Sequence, residues 1–447
     1  MSSPEPDLPD EPVQRIVAPI QRFLHVEAAS GVVLLGAAAL ALAAANSAAS
    51  DAFLAFWQTP ISFQLGSFEM DHSLKHWVSD GLMAIFFFVV GLEVKREWVV
   101  GELQELRAAA LPLAGALGGI VVPASIYLAL LGGEPEARGW GIPMATDIAF
   151  VVGCLAVLGP RVPASLRVFL LSLAIADDIG AILVIAIGYT EDLNLGALLL
   201  GGAGLGGVLL LQRIGVRSVG VYTAVGVAVW VAFHESGVHA TIAGVVLGIM
   251  TPSRSWVADS RLDAIFARAR EVWKGEGWAG FGSRRELLER VQAAAREARS
   301  PLERLLRGLH PWSAFGIMPV FALANAGVAI DATRAGEPVA IAVAAGLVLG
   351  KPLGILLFCH VAIRAGLASL PEGIGWGALA GGGCLAGIGF TMSLFIAGLA
   401  LDGAALDAAK LGILGASLVS GTLGMALLVH FLPRADEANQ TDRDHQG

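Results

Sequence analysis

Charge is what this chain has least of. Only 15% of its 447 residues are charged, against about a quarter in a soluble protein. Cysteine is scarce as well. Cys154, Cys359 and Cys384 lie far apart, each inside an apolar run, and none forms a CxxC pair. That excludes a disulfide framework or a clustered zinc site and leaves three small buried apolar residues. The net charge is −9, and no basic footprint points to nucleic acid. The start of the chain is not expected to act as a secretory leader. The opening MSSPEPDLPDEP is acidic and proline-rich, with no basic stretch leading into an apolar core. Residues 1–20 and 433–447 are expected to be short cytoplasmic tails, the first of them disordered.

What the chain has instead is apolarity. Hydrophobic residues make up 55% of it, and the mean hydropathy is +0.70. They fall in runs of roughly 18 to 25, the length that crosses a bilayer core of about 30 Å. The expected fold class is therefore an all-α polytopic membrane protein. Twelve spans are expected, near 26–46, 80–97, 108–131, 142–158, 164–189, 195–212, 217–234, 238–250, 312–330, 337–364, 374–400 and 408–432. The organisation expected is helices 1–8 over 21–250, a cytoplasmic helical loop over 251–309, and helices 9–12 over 310–432.

Loop cations set the orientation. With the N-terminus inside, the inner segments hold Arg15, Arg22, Lys95, Arg96, Arg107, Arg161, Arg213, Arg217, Arg364 and Arg434, and the 251–309 loop adds more. The outer loops hold only Lys75, Arg138 and Arg334. Both termini are then cytoplasmic. Within the long loop, Ser283 and Glu286 have capping-box spacing. Leu287, Leu288, Val291, Ala294 and Ala295 repeat at helical spacing. An amphipathic helical hairpin is expected there, either a solvated linker or a regulatory element.

Two spans are interrupted. The fourth reads GWGIPMATDIAFVVG, with Gly141 and Pro143 ahead of Thr146 and Asp147. The eleventh reads ALAGGGCLAGIGFTMSLF, where Gly381, Gly382, Gly383, Gly387 and Gly389 each weaken a helix. Interrupted spans at corresponding places in two halves point to a transporter site.

Against this background, four charged residues stand at membrane depth. Asp177 and Asp178 sit in the middle of FLLSLAIADDIGAILVIAIGY, Asp147 in the interrupted fourth span, and Lys351 in VAAGLVLGKPLGILLF. Each costs about 2.5–3.5 kcal/mol on insertion scales, on the order of 10 kcal/mol together. That rivals the net stability of many proteins. A carboxylate offers a hard cation oxygen ligands, by extension from divalent ions, or it holds a proton instead. Competition of the two for one group is the simplest chemistry of exchange. Neighbours on a helix point about 100° apart, so one aspartate can hold a cation while the other faces Lys351. Free half-helix ends carry about half a charge. Asp147 can neutralise facing N-termini and Lys351 facing C-termini, while Thr146 can cap the fourth-span half-helix or offer an oxygen to the ion.

Several strings together resemble one family, the NhaA-type sodium/proton antiporters. They are GLEVKRE (91–97), PMATDIAF (143–150), LAIADDIGAI (173–182), SGVHATIAGV (236–245), LHPW (309–312), ANAG (324–327), GKPLGI (350–355) and GIGFTMSLFIA (387–397). The resemblance implies twelve helices in inverted repeats, with spans 4 and 11 discontinuous and crossing. It implies electrogenic exchange of Na+ or Li+ for more than one H+, regulated by pH, in the bacterial inner membrane. Asp177 and Asp178 match the cation- and proton-binding pair, Asp147 and Thr146 the broken-helix site, and Lys351 the lysine paired with the first aspartate. Asp80, Glu93, Glu97 and His239 match positions of ion access and pH response, and His310 completes that set. Read without the family, the Glu93–Glu97 cluster is equally an interfacial charge band, and His239 a polar residue at a helix end. No cofactor is expected. The expected partners are sodium, protons, the lipid bilayer and a second copy of the chain in a homodimer.

Two departures from the family pattern concern pH sensing. Leu306 and Arg307 stand where Glu-His usually precedes LHPW, and the 251–309 connection is longer than usual. Two other functions fit less well. An intramembrane aspartyl protease needs carboxylates on two helices, but its GxGD string is missing and Lys351 does not suit a shared-proton dyad. A cation channel needs a continuous lined pore, whereas a compact site at helix breaks suits alternating access.

Overall fold

The computed structural model describes residues 27–432 except 66–67, 102–105, 191–192, 217, 255–258, 275–287, 290, 295–297 and 372. The two expected tails and the capping box of Ser283 and Glu286 lie outside the described residues. In chain order the elements are α1 (Glu27–Ala45), α2 (Ser50–Gln58), β1 (Pro60–Leu65), β2 (Phe68–Ser73), α3 (Leu74–Val100), α4 (Leu106–Leu131), α5 (Ile148–Leu158), α6 (Ala164–Gly188), α7 (Leu195–Ile214), α8 (Val219–His234), α9 (Thr241–Met250), α10 (Asp259–Lys274), α11 (Pro301–Trp312), α12 (Met318–Asn325), α13 (Pro338–Arg364), α14 (Trp376–Ala386), α15 (Phe390–Ala400) and α16 (Gly403–Phe431). A 3₁₀ segment, Pro135–Met144, leads into α5.

Among the described residues, seven helices are long and apolar enough to cross a membrane, and nine if each bent pair counts as one span. Helices α8 and α9 are apolar but shorter. Length and composition thus make this a polytopic helical membrane protein without reaching the expected twelve crossings. One expectation needs correcting. The chain is not wholly α-helical, because β1 and β2 form an antiparallel hairpin with Phe63 opposite Met70. Met70 is buried, whereas Ile61 and Phe63, on the same face, remain exposed. Ser62 donates to Asp71 at 2.7 Å, and the Trp77 indole donates to the Ile61 carbonyl at 3.1 Å. Those few contacts leave no long apolar run for a sequence reading to catch.

The chain forms two compact units. Among the described residues, the first lies within 27–83, 106–189 and 314–432, and the second within 84–101 and 190–313. In the first, α13 lies along α4, α16 packs on α13 and α14, and α1 packs on α5 and α12. The closest approach is between two glycines. A Cβ on Gly354 would lie 2.1 Å from the Gly118 carbonyl oxygen, and one on Gly118 would lie 2.1 Å from that of Gly354. Only hydrogen fits there, and small residues are how membrane helices gain dispersion contact without a hydrophobic driving force. A π-turn, Gly346–Gly350, interrupts α13 just ahead of Lys351. It seats on two prolines, with a Cβ on Gly350 meeting Pro123 and one on Gly346 meeting Pro143.

In the second unit, a Cβ on Gly244 would meet the Ala84 carbonyl and one on Gly248 the Phe88 carbonyl. Val89, Leu92, Leu302 and Leu306 form a buried cluster. Asn194 caps α7 and Ser300 caps α11. Helix α11 begins at Pro301, inside the stretch expected to be loop, and its Leu302 and Leu306 face inward.

The glycine crossing sets a stability expectation. Gly354→Ala should destabilise the solubilised protein by about 1–3 kcal/mol through overpacking against backbone. Gly415→Ala, with nothing within 4 Å of the new methyl, should leave the melting temperature unchanged or raise it. Equal melting temperatures for the two variants would show that the α4–α13 approach is not constrained.

Candidate functional site

The site grows from three helical interruptions in the first unit. The 3₁₀ segment ends at Met144, residues 145–147 are extended, and α5 starts at Ile148. Helices α14 and α15 are bent by 45° across residues 387–389. The third interruption is the π-turn before Lys351. The glycines of the eleventh expected span do not act alike. The helix survives Gly381, Gly382 and Gly383, which face Leu428, Leu170 and Pro352 at close range. Packing there offsets their weak propensity, and the chain leaves the helix only at Gly387.

Each interruption exposes backbone groups, and side chains or the other break take them up. The Asp147 carboxylate accepts from the Phe150 amide at 3.3 Å, capping α5. Its other oxygen accepts from the Thr391 amide at 3.2 Å and from the Thr391 hydroxyl. One carboxylate thus serves the N-termini of both α5 and α15, where the partial charge is positive. On the opposite polarity, the Thr146 hydroxyl donates to the Ala386 carbonyl at 2.8 Å, at the end of α14. The Asp147 amide donates to the Ile388 carbonyl at 2.7 Å. The Ser393 hydroxyl donates to the Ile142 carbonyl at 2.8 Å. Thr146 therefore does not cap the fourth-span half-helix. Asp147, one residue later, holds the N-cap position, and the Thr146 proton goes to α14. A hydroxyl oxygen keeps acceptor capacity after donating.

Lys351 carries the complementary charge. Its ammonium donates to Asp177 Oδ2 at 2.6 Å and to the Met144 carbonyl at the end of the 3₁₀ segment. Asp178 also lies in the electrostatic reach of Lys351. All these groups are withdrawn from the surface: Lys351 is 0% exposed, Thr146, Asp147 and Asp177 1%, and Asp178 4%. Asp177 Oδ1 is buried with no hydrogen-bond partner. A buried carboxylate oxygen left so is costly, and it is an open ligand for a cation or a proton.

The five residues Thr146, Asp147, Asp177, Asp178 and Lys351 thus come together. Thr391 and Ser393 join them, and a reading of GIGFTMSLF for its glycines alone misses both. The available signal was a pair of hydroxyls just after a break, where helix N-termini favour them. Asp80, in the first unit, pairs with His76 at 3.3 Å. The remaining access and pH residues belong to the second unit. Glu93 faces His310 at 3.7 Å, and Glu97 lies against the Gly101 backbone. His239 Nδ1 lies 2.7 Å from the Thr241 hydroxyl at the start of α9, a helix-end position. Lys410, in α16, is a packed residue. It is buried beside Lys75 and Asp407.

Known proteins match this chain along nearly its whole length. The family model described as Na+/H+ antiporter 1 matches residues 21–428. A Rhodopirellula baltica protein named Na(+)/H(+) antiporter NhaA is 54% identical over 427 residues, covering 96% of this chain and 97% of the relative. A Rhizobium meliloti protein of the same name is 53% identical over 421 residues, covering 94% and 96%. Acidiphilium cryptum has one named Na(+)/H(+) antiporter NhaA 2, 49% identical over 436 residues, covering 98% and 97%. With the helix breaks, buried aspartates and lysine already in place, this identity across the whole fold makes the chain a member of the Na+/H+ antiporter 1 family.

Proposed function

We propose that this multi-pass bacterial membrane protein exchanges Na+ or Li+ for H+, with Asp177 and Asp178 as the shared binding pair. The observation that carries the reading is the buried Asp177–Lys351 contact beside two helix breaks. The names of the relatives support the same chemistry.

The exchange follows from competition. With no cation bound, Lys351 neutralises Asp177. A dehydrating Na+ needs oxygens, and Asp178, the unpartnered Asp177 Oδ1 and the Thr146 oxygen are the candidates. Binding there competes with Lys351 for Asp177 and with protons for both aspartates. Raising the proton concentration fills the carboxylates and releases the cation; lowering it does the reverse. Two carboxylates and one lysine allow more protons than sodium ions per cycle, which makes the exchange electrogenic. Closely spaced groups of this kind titrate as a set. Asp147 holds the two N-termini and so fixes the frame in which Thr146 sits.

The same reading takes the two interrupted spans as crossing discontinuous helices of an inverted repeat, in a twelve-span fold with both termini cytoplasmic and 251–309 as a cytoplasmic loop. It places the protein in the inner membrane, extruding sodium at the expense of the proton gradient. A homodimer belongs to it as well, since α7 has the least buried apolar window of the spans, 11%, and offers a face to a second copy or to lipid.

For pH response, the Glu93–His310 contact is the feature to weigh. It is an ion pair only while His310 is protonated and Glu93 is ionised, so it is confined to a window of pH, lost on the alkaline side as the imidazole gives up its proton and on the acid side as the carboxyl takes one. Leu306 is a buried member of the α11 cluster and cannot titrate, so a sensor built on a glutamate at that position is not available here.

Two measurements test the reading in proteoliposomes with a pH-sensitive dye. Asp177→Asn and Asp178→Asn should each abolish sodium-driven proton flux, and robust sodium-dependent dequenching in either would defeat the assignment. His310→Gln should displace the activity profile between about pH 6 and 9 by a few tenths of a unit, because a half-exposed pair contributes under about 1 kcal/mol. A profile superimposable on the wild type would remove His310 from the sensor.

A further inference from the structure

Helix α16 presents two serines, one turn apart, to the second break. Ser417 Oγ accepts from the Phe390 amide at 3.2 Å and so serves the N-terminus of α15 alongside Asp147. Ser420 is different. It is 1% exposed, and its hydroxyl has no hydrogen-bond partner. A buried hydroxyl in that condition is unfavourable, and an apolar residue of the same size would avoid the penalty.

The surroundings of Ser420 supply a matching acceptor. A Cβ built on Gly387 would lie 2.8 Å from Ser420 Oγ and 2.5 Å from the Leu347 carbonyl oxygen. Both groups therefore press on the first residue of the break. Leu347 lies in the π-turn that carries Lys351, where the Lys351 amide donates back to the Gly346 carbonyl. The next amide in that register would belong to Pro352, which has no N–H. The Leu347 carbonyl thus lacks the donor that the π-register would bring it. A buried donor and a buried acceptor face the same glycine without meeting.

Resting on the exchange reading above, we propose that Ser420 is a positioning residue for the ion site, whose hydroxyl donates to the Leu347 carbonyl in a second arrangement of the break. Gly387 separates the two groups, and its lack of a side chain leaves them room to close. The bond would join the π-turn behind Lys351 to the segment between α14 and α15. Withdrawal of Lys351 from Asp177 and rearrangement of the break that holds Thr391 would then occur as one event. π-turns are frequent at such functional places. Because the structure holds the arrangement in which Ser420 is unpaired, the hydroxyl contributes to the other arrangement and to passage between them.

The test is Ser420→Ala in reconstituted vesicles, alongside the wild type and Ser417→Ala. Turnover of sodium-driven proton flux should fall about tenfold in Ser420→Ala, the equivalent of one hydrogen bond. Its KM for sodium should stay within about twofold of wild type, and its melting temperature should not drop. Ser417→Ala, which removes a bond present in the structure, should melt lower. A Ser420→Ala turnover within about twofold of wild type overturns the proposal. So does a melting temperature lowered in step with turnover, which would make Ser420 a packing residue. A wild type without any sodium-driven flux in the same vesicles defeats the exchange reading itself and the proposal with it, an outcome separable from the other two.

Discussion

Backbone groups cannot remain unpaired inside a hydrocarbon layer, and the first unit is organised around that constraint. A continuous helix satisfies it internally. A helix that stops mid-span frees amides at one end and carbonyls at the other, each equivalent to a partial charge. Here the 3₁₀-to-α5 junction and the α14–α15 junction take up each other's free groups, through the Asp147 amide on Ile388 and the Thr146 hydroxyl on Ala386. Asp147 then serves two N-termini, and Lys351 serves the carbonyl end at Met144. Charged residues that would otherwise be expensive at this depth are held by the ends they neutralise.

The same economy leaves one group open. Lys351 is engaged by Asp177 and Met144, and Asp147 by Thr391 and Phe150, but Asp177 Oδ1 has no partner. A purely structural network would close that valence, since a half-satisfied buried network is less favourable than an apolar core. An exchanger needs it available. The glycine contacts serve the same end from a distance. Gly118 and Gly354 let α4 and α13 approach to backbone contact, and Gly350 and Gly346 seat the π-turn on Pro123 and Pro143. That seating fixes where the long lysine side chain emerges, and a displacement of one ångström there would part it from Asp177.

Much of this was legible beforehand. Asp147, Asp177, Asp178 and Lys351 stand out because charge is rare in apolar runs, and that rarity does not depend on fold. The break at Gly387 and the one before Asp147 were legible as places where helix propensity fails. What propensity did not resolve is which glycines break the helix. Gly381, Gly382 and Gly383 remain helical because Leu428, Leu170 and Pro352 fill the space where side chains would be. The hairpin of Pro60–Leu65 and Phe68–Ser73 was passed over because its strands are short and alternate apolar with polar residues, so neither forms a run of spanning length. Leu306 was visible only as a departure from a pattern; its burial against Val89 and Leu92 turns that departure into a packing position.

The sequence by itself determined that the chain is a polytopic membrane protein and which four charges lie in its apolar spans, because hydropathy and the cost of burying charge are properties of composition and spacing. Tertiary structure alone decided the pairing. That Lys351 also donates to the Met144 carbonyl, that Thr146 donates to α14 rather than capping its own helix, and that Thr391 joins Asp147 all depend on contacts between residues more than 30 positions apart in the chain. Local propensity has no information about such contacts, which are set by where the glycine-lined helices come to rest against one another.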